Sequence, residues 1–154
     1  PNLGASSNVV VRLAREIPQN YYYKLFYDNY HTSLPVMAHL AKNGIHFLGT
    51  VRINKILPCN IPKDFVLNKS ARGNSDEFVT KFEGTEICIV YWTVTLLSSF
   101  MRAGPVEMLF RYDRKTKARV EVSCPAIVKQ YNKHMGGVAL LDRLIGRYRI
   151  KMRP

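Results

Sequence analysis

The sequence has 154 residues, of which 47% are apolar, enough for one domain with a sizeable core. Its 23 Lys and Arg side chains against 11 Asp and Glu give a formal net charge of +12. This excess favours a nucleic-acid partner over a solvated basic surface or an acidic protein partner, because cationic stripes bind polyanions by releasing counterions. The most apolar stretch, Ile87 to Leu97, is about half as long as the ~20 residues of a membrane span, so we expect no membrane association.

Cysteine and histidine are too scattered to indicate a disulfide framework or a zinc site. The three cysteines, Cys59, Cys88 and Cys124, are far apart in the sequence and odd in number, which is typical of reduced thiols. There is no Cys-x-x-Cys pair, and the four histidines show no zinc-ligand spacing.

The N-terminal third predicts two helices that alternate with two strands. Apolar spacing predicts a helix over Val9–Glu16, capped by Ser7 or Asn8. The aromatic run Tyr21–Tyr27 is typical of a strand buried on both faces, although its tyrosines could also stack on bases.

A second helix is capped by Thr32 or Ser33 and ends at Gly44, which provides the left-handed residue of a helix terminus. The next strand is predicted over Ile45–Ile53. A strand, a helix of about ten residues and another strand form a βαβ crossover, so we expect the two strands to be parallel.

The central part of the chain is predicted to be rich in β-structure. After Asn54 the sequence favours a loop over Leu57–Ser75. Alternating and β-branched residues then predict short strands and one hairpin, over Glu77–Phe82, Glu86–Tyr91, Val94–Ser98, Met108–Tyr112 and Arg119–Ser123. Because Val94 follows Trp92 so closely, little room remains for a hairpin loop between two of these strands.

Helical spacing returns after Pro125 and is interrupted by Gly136–Gly137, which predicts two helices separated by a break. The chain is therefore divided into residues 1–53, a β-rich insertion over 54–123, and C-terminal helices over 124–154. The predicted class is α/β.

Two clusters carry much of the positive charge and are the candidate DNA-binding surfaces. The first surrounds the turn of the predicted hairpin, and the second lies at the C-terminus without an acidic residue. Their members are Arg111, Arg114, Lys115, Lys117 and Arg119, and then Arg143, Arg147, Arg149, Lys151 and Arg153.

Asp28 is the candidate metal ligand, because it directly follows a predicted buried strand. Ligands of open parallel sheets bind beyond the carboxyl ends of the strands, and a carboxylate there suits a hard divalent cation. An aspartate that accepts hydrogen bonds from nearby backbone amides would have the same position. Position alone favours neither interpretation.

Three segments together resemble the piggyBac-type DNA transposases. The segment from Tyr27 to Ser33 (YDNYHTS) is similar to the family's DNxFTS box, and Gly49–Arg52 (GTVR) is similar to its GTxR segment. Tyr131–Val138 (YNKHMGGV), followed by Leu141-Asp142, looks like the YNxxMGGVDxxD helix. The order and spacing of the three motifs make the resemblance specific.

The resemblance implies an RNase H-like fold with a β-rich insertion before the last catalytic helix. It also implies DNA cleavage and joining with two Mg²⁺ ions held by three aspartates. Asp28 matches the second of these, and the first would lie on a strand upstream of Pro1. Ala139 stands where the family has the third, while Asp142, three residues further on, matches the second acid of that motif.

These differences predict a chain that is catalytically inactive, since one carboxylate in register leaves two metals mostly uncoordinated. Two alternatives remain: a domesticated, non-enzymatic DNA-binding module, and an active nuclease in which Asp142 replaces the lost acid. In all three cases the resemblance implies DNA as the partner, a nuclear location and the possibility of a homodimer.

Overall fold

The computed structural model describes residues 3–56 and 73–147, without the side chains of 137–143. It begins with helix α1 (Ala5–Ala14), strand β1 (Lys24–Tyr27), helix α2 (Leu34–Lys42) and strand β2 (His46–Thr50). Strands β1 and β2 pair in parallel, from Lys24 opposite His46 to Tyr27 opposite Gly49. The predicted βαβ crossover is therefore confirmed. Gly44 has a φ of +67°, the left-handed conformation expected after the helix.

The first strand is shorter than predicted, because the backbone turns before it. Asn20 and Tyr22 have φ values of 64° and 55°, which an extended strand cannot accommodate. The Tyr22 amide donates a hydrogen bond to the Gly44 carbonyl instead, at 3.1 Å. The prediction of a buried strand was wrong for the residues that precede Lys24, which are exposed by 74%, 66% and 50% for Tyr21, Tyr22 and Tyr23.

Helix α1 also differs from its prediction. It begins at Ala5 and ends at Ala14, whereas the apolar spacing predicted Val9–Glu16. Its N-cap is Gly4, and neither predicted capping residue is at that position. The Ser7 hydroxyl forms a hydrogen bond with the Ser33 hydroxyl at 3.0 Å, so it joins α1 to the start of α2.

Three further strands complete a five-stranded sheet: β3 (Asp76–Phe82), β4 (Thr85–Tyr91) and β5 (Thr95–Ser98). The spatial order is β1-β2-β5-β4-β3, and β5 runs antiparallel to both of its neighbours. The turn over Trp92–Val94 closes the hairpin of β4 and β5, with the Trp92 amide 3.1 Å from the Val94 carbonyl oxygen. The expected lack of room for a hairpin loop was wrong, since three residues suffice when the flanking pair Tyr91–Thr95 is in register.

Strands β6 (Val106–Asp113) and β7 (Ala118–Pro125) form a separate two-stranded sheet, which we call the basic hairpin. The strands of residues 76–98 thus extend the sheet of β1 and β2, whereas the basic hairpin does not. The predicted boundaries after residues 53 and 123 stay predictions. Residues 57–72, most of the predicted loop, lie outside the described residues.

Helix α3 (Ala126–Arg147) is one continuous helix, so the predicted break at Gly136–Gly137 was wrong. Each glycine costs a helix roughly 1 kcal/mol relative to alanine. Packing close to the glycines offsets this cost, since the His134 ring, two residues before Gly136, stacks on Phe26 of β1.

The two faces of the five-stranded sheet are covered by different elements. Helix α2 packs on one face, where Met37 and Leu40 share a cluster with Phe47 and Leu97. Helix α3 and the basic hairpin cover the other face, where Ile127 and Val122 pack in one apolar cluster with Leu48 of β2. The α/β class is confirmed. In the described part of the chain, no helix is long and apolar enough to cross a membrane.

The two cysteines within the described residues are both free and buried, Cys88 and Cys124. Burial raises the pKa of Cys88 to about 12. Cys59 lies outside the described residues.

Candidate functional site

Asp28 is located where the sequence predicted it, immediately after β1 at the carboxyl end of the parallel strands. Its side chain is exposed, and its Oδ1 accepts hydrogen bonds from the amides of Tyr30 at 3.1 Å and His31 at 3.4 Å. The carboxylate therefore shapes the turn that follows the strand, which is the second of the two predicted roles. Oδ2 takes no part in these two hydrogen bonds.

Thr32 brings the Asp28 loop back onto the sheet. Its amide and its hydroxyl both donate to the Asp28 carbonyl oxygen, at 3.2 Å and 2.6 Å. Thr32 is fully buried, and a Cβ on Gly49 would lie 2.7 Å from the Thr32 Oγ1 and 2.9 Å from the Tyr27 carbonyl oxygen. Only a glycine at position 49 leaves room for this threonine, so the first two motifs are packed tightly against each other at this point.

Lys55 holds the same loop from the opposite side. Its ammonium group donates to three backbone carbonyl oxygens, those of Asn29 at 2.8 Å, Tyr30 at 3.2 Å and Thr32 at 3.0 Å. Sequence reasoning missed Lys55, because a lysine after a strand has no distinguishing local pattern. Its positive charge stabilises three carbonyl oxygens of the loop that follows Asp28.

Helix α3 connects the third motif to the other two. The Tyr131 hydroxyl lies 3.4 Å from the Thr50 Oγ1, and the His134 ring stacks on Phe26 with centroids 4.1 Å apart and planes 11° apart. The helix therefore runs from the end of β2 across to β1. Positions 139 and 142 lie further along this helix, where side chains are outside the described part of the chain.

Tyr27, which precedes Asp28 in the sequence, has a hydroxyl whose pKa is strongly changed by burial. It is 8% exposed, and its hydroxyl has no hydrogen-bond partner in the described part of the chain. Burial raises the pKa of Tyr27 well above its usual value. Tyr27 and His31 also line an apolar cavity of about 200 Å³ between α1 and β1.

The side chains that the structure describes do not provide the ligands of a two-metal centre. Among them, no group of three or more His, Cys, Asp or Glu residues could hold a metal ion. Asp28 supplies one carboxylate, and one of its oxygens already accepts backbone amides. One carboxylate leaves most coordination positions of two Mg²⁺ ions unfilled.

The basic hairpin divides the first candidate DNA-binding cluster between two faces. Arg111 points toward the main sheet, where its guanidinium lies 4.5 Å from the centre of the Trp92 ring. The other four members are exposed, at the turn or beside it: Arg114, Lys115, Lys117 and Arg119. The structure thus presents four of the five cations to solvent together.

The second candidate DNA-binding cluster, at the C-terminus, lies mostly outside the described residues. Arg147 is the last residue of α3 and is exposed, and the side chain of Arg143 is not described. Arg149, Lys151 and Arg153 lie beyond the described residues.

Comparison with known proteins identifies the family. A family model described as Transposase IS4 matches residues 1–154. The chain is 33% identical over 135 residues to PiggyBac transposable element-derived protein 2 of Homo sapiens, covering 85% of this chain and 22% of that protein. It is 28% identical over 156 residues to PiggyBac transposable element-derived protein 3 of Homo sapiens, covering 97% and 26%.

The fold also matches a solved structure, the cryo-EM structure of a piggyBac transposase synaptic complex with hairpin DNA. The TM-score is 0.62 at 24% identity, over 92% of this chain and 27% of that one. The chain thus spans about a quarter of the length of the relatives it matches. It belongs to the piggyBac transposase family.

Proposed function

We propose that this chain is the DNA-contacting part of an RNase H-like piggyBac transposase domain, and that it binds DNA without cutting it. The observation that carries the proposal is the meeting of the three motifs at the carboxyl ends of β1 and β2. Gly49 adjoins Thr32 there, and Thr50 contacts Tyr131. In parallel sheets this edge is the usual ligand-binding position.

The proposed loss of cleavage rests on Ala139, which replaces an acid in the family motif. A methyl group cannot coordinate Mg²⁺, which binds through oxygen ligands. A plasmid-nicking assay with Mg²⁺ or Mn²⁺ is expected to show no cleavage by this chain. Nicking that disappears in Asp28→Ala would instead support the alternative in which Asp142 replaces the missing acid.

The proposed DNA binding rests on the exposed cations of the basic hairpin together with the C-terminal cluster. Contacts to about six phosphates predict a log–log slope of affinity against salt of about −5. The hairpin variant replaces Arg114, Lys115, Lys117 and Arg119 by glutamine. It should weaken binding to duplex DNA and reduce the slope to about −2, since four phosphate contacts are removed.

A matched control removes the same number of charges elsewhere. Arg12, Arg15, Lys42 and Lys81 are exposed and lie away from the hairpin in the sequence. Replacing these four by glutamine should change the slope far less. Equal effects of the two variants, or affinity independent of salt, would contradict a DNA-binding role for the hairpin.

The family relationship also motivates three further proposals. They are a nuclear location, an ancestral role in Mg²⁺-dependent transposition, and assembly as a homodimer. A domesticated DNA-binding module remains the second candidate function, supported by the net charge of +12. Sequence-specific binding to one host DNA site would favour it over a catalytically inactive remnant of a transposase.

A further inference from the structure

The outer face of the basic hairpin carries an apolar stripe that is left open to solvent. Alternate residues of β6 are exposed by 52%, 55%, 71% and 59%, for Val106, Met108, Phe110 and Tyr112 respectively. Successive side chains of a strand point to opposite faces, so these four share one face. The other face packs on the main sheet through Val122 and Trp92.

Positive charge predominates at the turn that adjoins this face, where Arg114, Lys115 and Lys117 are exposed. Arg119 lies directly opposite Tyr112, and Glu121 lies opposite Phe110. The other acids of the hairpin are already engaged. Asp113 accepts hydrogen bonds from the Lys115 amide and the Thr116 hydroxyl, and Glu107 forms an ion pair with Lys129 of helix α3.

We propose that this outer face binds unpaired nucleotides, with bases stacked on Phe110 and Tyr112 and phosphates held by Arg119 and the cations of the turn. The proposal deepens the proposed DNA binding and rests on it. Aromatic rings beside a cationic groove are the combination by which proteins bind single strands without sequence preference. Duplex DNA cannot use these rings, because its bases are already stacked and paired.

The spacing of the two rings suits this occupant. Residues two apart on an antiparallel strand are separated by about 6.8 Å. That distance is twice the base repeat of about 3.4 Å along one strand of DNA. One base can therefore enter between the two side chains while its neighbours stack on their outer sides.

A second copy of the chain fits this face less well. Eight residues on each of two strands cover about 26 Å by 10 Å, or roughly 260 Å². Stable protein interfaces bury about 800 Å² on each partner. Two copies placed face to face would also bring their Arg119 side chains and basic turns close together, which like charges oppose.

A second exposed aromatic segment, Tyr21–Tyr23, can be compared with the outer face of the hairpin. Tyr21 and Tyr23 are exposed by 74% and 50% and lie near each other, with ring centroids 6.5 Å apart. The nearest lysine in the sequence, Lys24, lies over the Phe100 ring at 4.9 Å. This segment offers rings without a cluster of exposed cations.

The test measures the affinity of the whole 154-residue chain, in dilute solution, for two labelled probes. One is oligothymidylate of about ten nucleotides, within the usual range of single-strand site sizes, and the other is a blunt duplex of the same length. The variant Phe110→Ala/Tyr112→Ala should bind oligothymidylate at least about tenfold more weakly. Its affinity for the duplex should stay within about twofold.

Two further variants separate stacking from general effects. Phe110→Tyr/Tyr112→Phe retains both rings and should bind oligothymidylate like the original chain. Tyr21→Ala/Tyr23→Ala, the matched loss of two exposed rings, should also leave that affinity unchanged. Circular dichroism of each variant should show the same secondary structure as the original chain.

Three outcomes would overturn the proposal. The first is an equal loss of affinity for both probes in Phe110→Ala/Tyr112→Ala, and the second is no loss for either. The third is a dimer of the original chain in sedimentation that the same variant abolishes, which would make the face a self-association surface. If the original chain binds neither probe, the proposed DNA binding fails as well.

Discussion

The central sheet and the basic hairpin contain similar apolar strands but use them in opposite ways. In the sheet, Phe47 on β2 and Leu97 on β5 are fully buried, because helix α2 covers their face. On the hairpin, Phe110 is 71% exposed, since only the inner face packs against anything within the described residues. An apolar strand residue therefore stabilises the fold only where a second layer covers it.

The sharpest test of this contrast compares the same substitution at the two phenylalanines. Phe47→Ala should lower the free energy of unfolding by about 3–5 kcal/mol, because it removes a fully buried ring and leaves a cavity. Phe110→Ala should change it by no more than about 0.5 kcal/mol, as is usual at exposed positions. Urea unfolding followed by circular dichroism measures both. Similar losses at the two positions would mean that the outer face of the hairpin is covered.

A smaller loss is expected where the sheet meets the Asp28 loop. In Gly49→Ala the new methyl group would lie 2.7 Å from the Thr32 hydroxyl and 2.9 Å from the Tyr27 carbonyl oxygen. Overpacking of this kind costs typically about 1–3 kcal/mol, and more where backbone atoms must move. Thr32→Ala removes the hydroxyl from this contact, so adding Gly49→Ala to Thr32→Ala should cost less than Gly49→Ala costs in the original chain. Equal costs in the two backgrounds would place the strain on the Tyr27 carbonyl.

The sequence was sufficient for the elements whose signals are local. The parallel pairing of β1 with β2 follows from a helix of fixed length between two apolar runs, and Gly44 marks the helix end by its permissive backbone. The basic hairpin was also predicted correctly. Each of these elements is marked by a pattern in one continuous stretch of the chain: the apolar runs on either side of the crossover helix, the glycine after that helix, and the turn of the hairpin.

The features that the sequence did not predict depend on contacts between distant segments. The tyrosines before Lys24 resemble a buried strand, and only the turn at Asn20 and Tyr22 excludes them from the sheet. The position of Asp28 was predictable from strand order. The Lys55 ammonium reaches the same loop from 23 or more positions along the chain, and no local pattern indicates a contact of that kind.

A small gain in stability is expected in helix α3, which packs on the same face of the sheet as the basic hairpin. Gly136 is exposed, and a Cβ at this position would meet no atom within 4 Å. Gly136→Ala should therefore stabilise the chain by about 0.5–1 kcal/mol, because alanine loses less backbone freedom in a helix than glycine does. Gly49→Ala is the matched control, since the same added methyl group should have the opposite sign where the space is filled. Urea unfolding compares the two variants directly. A loss of stability in Gly136→Ala would mean that α3 bends at this glycine in solution, as the sequence pattern had predicted.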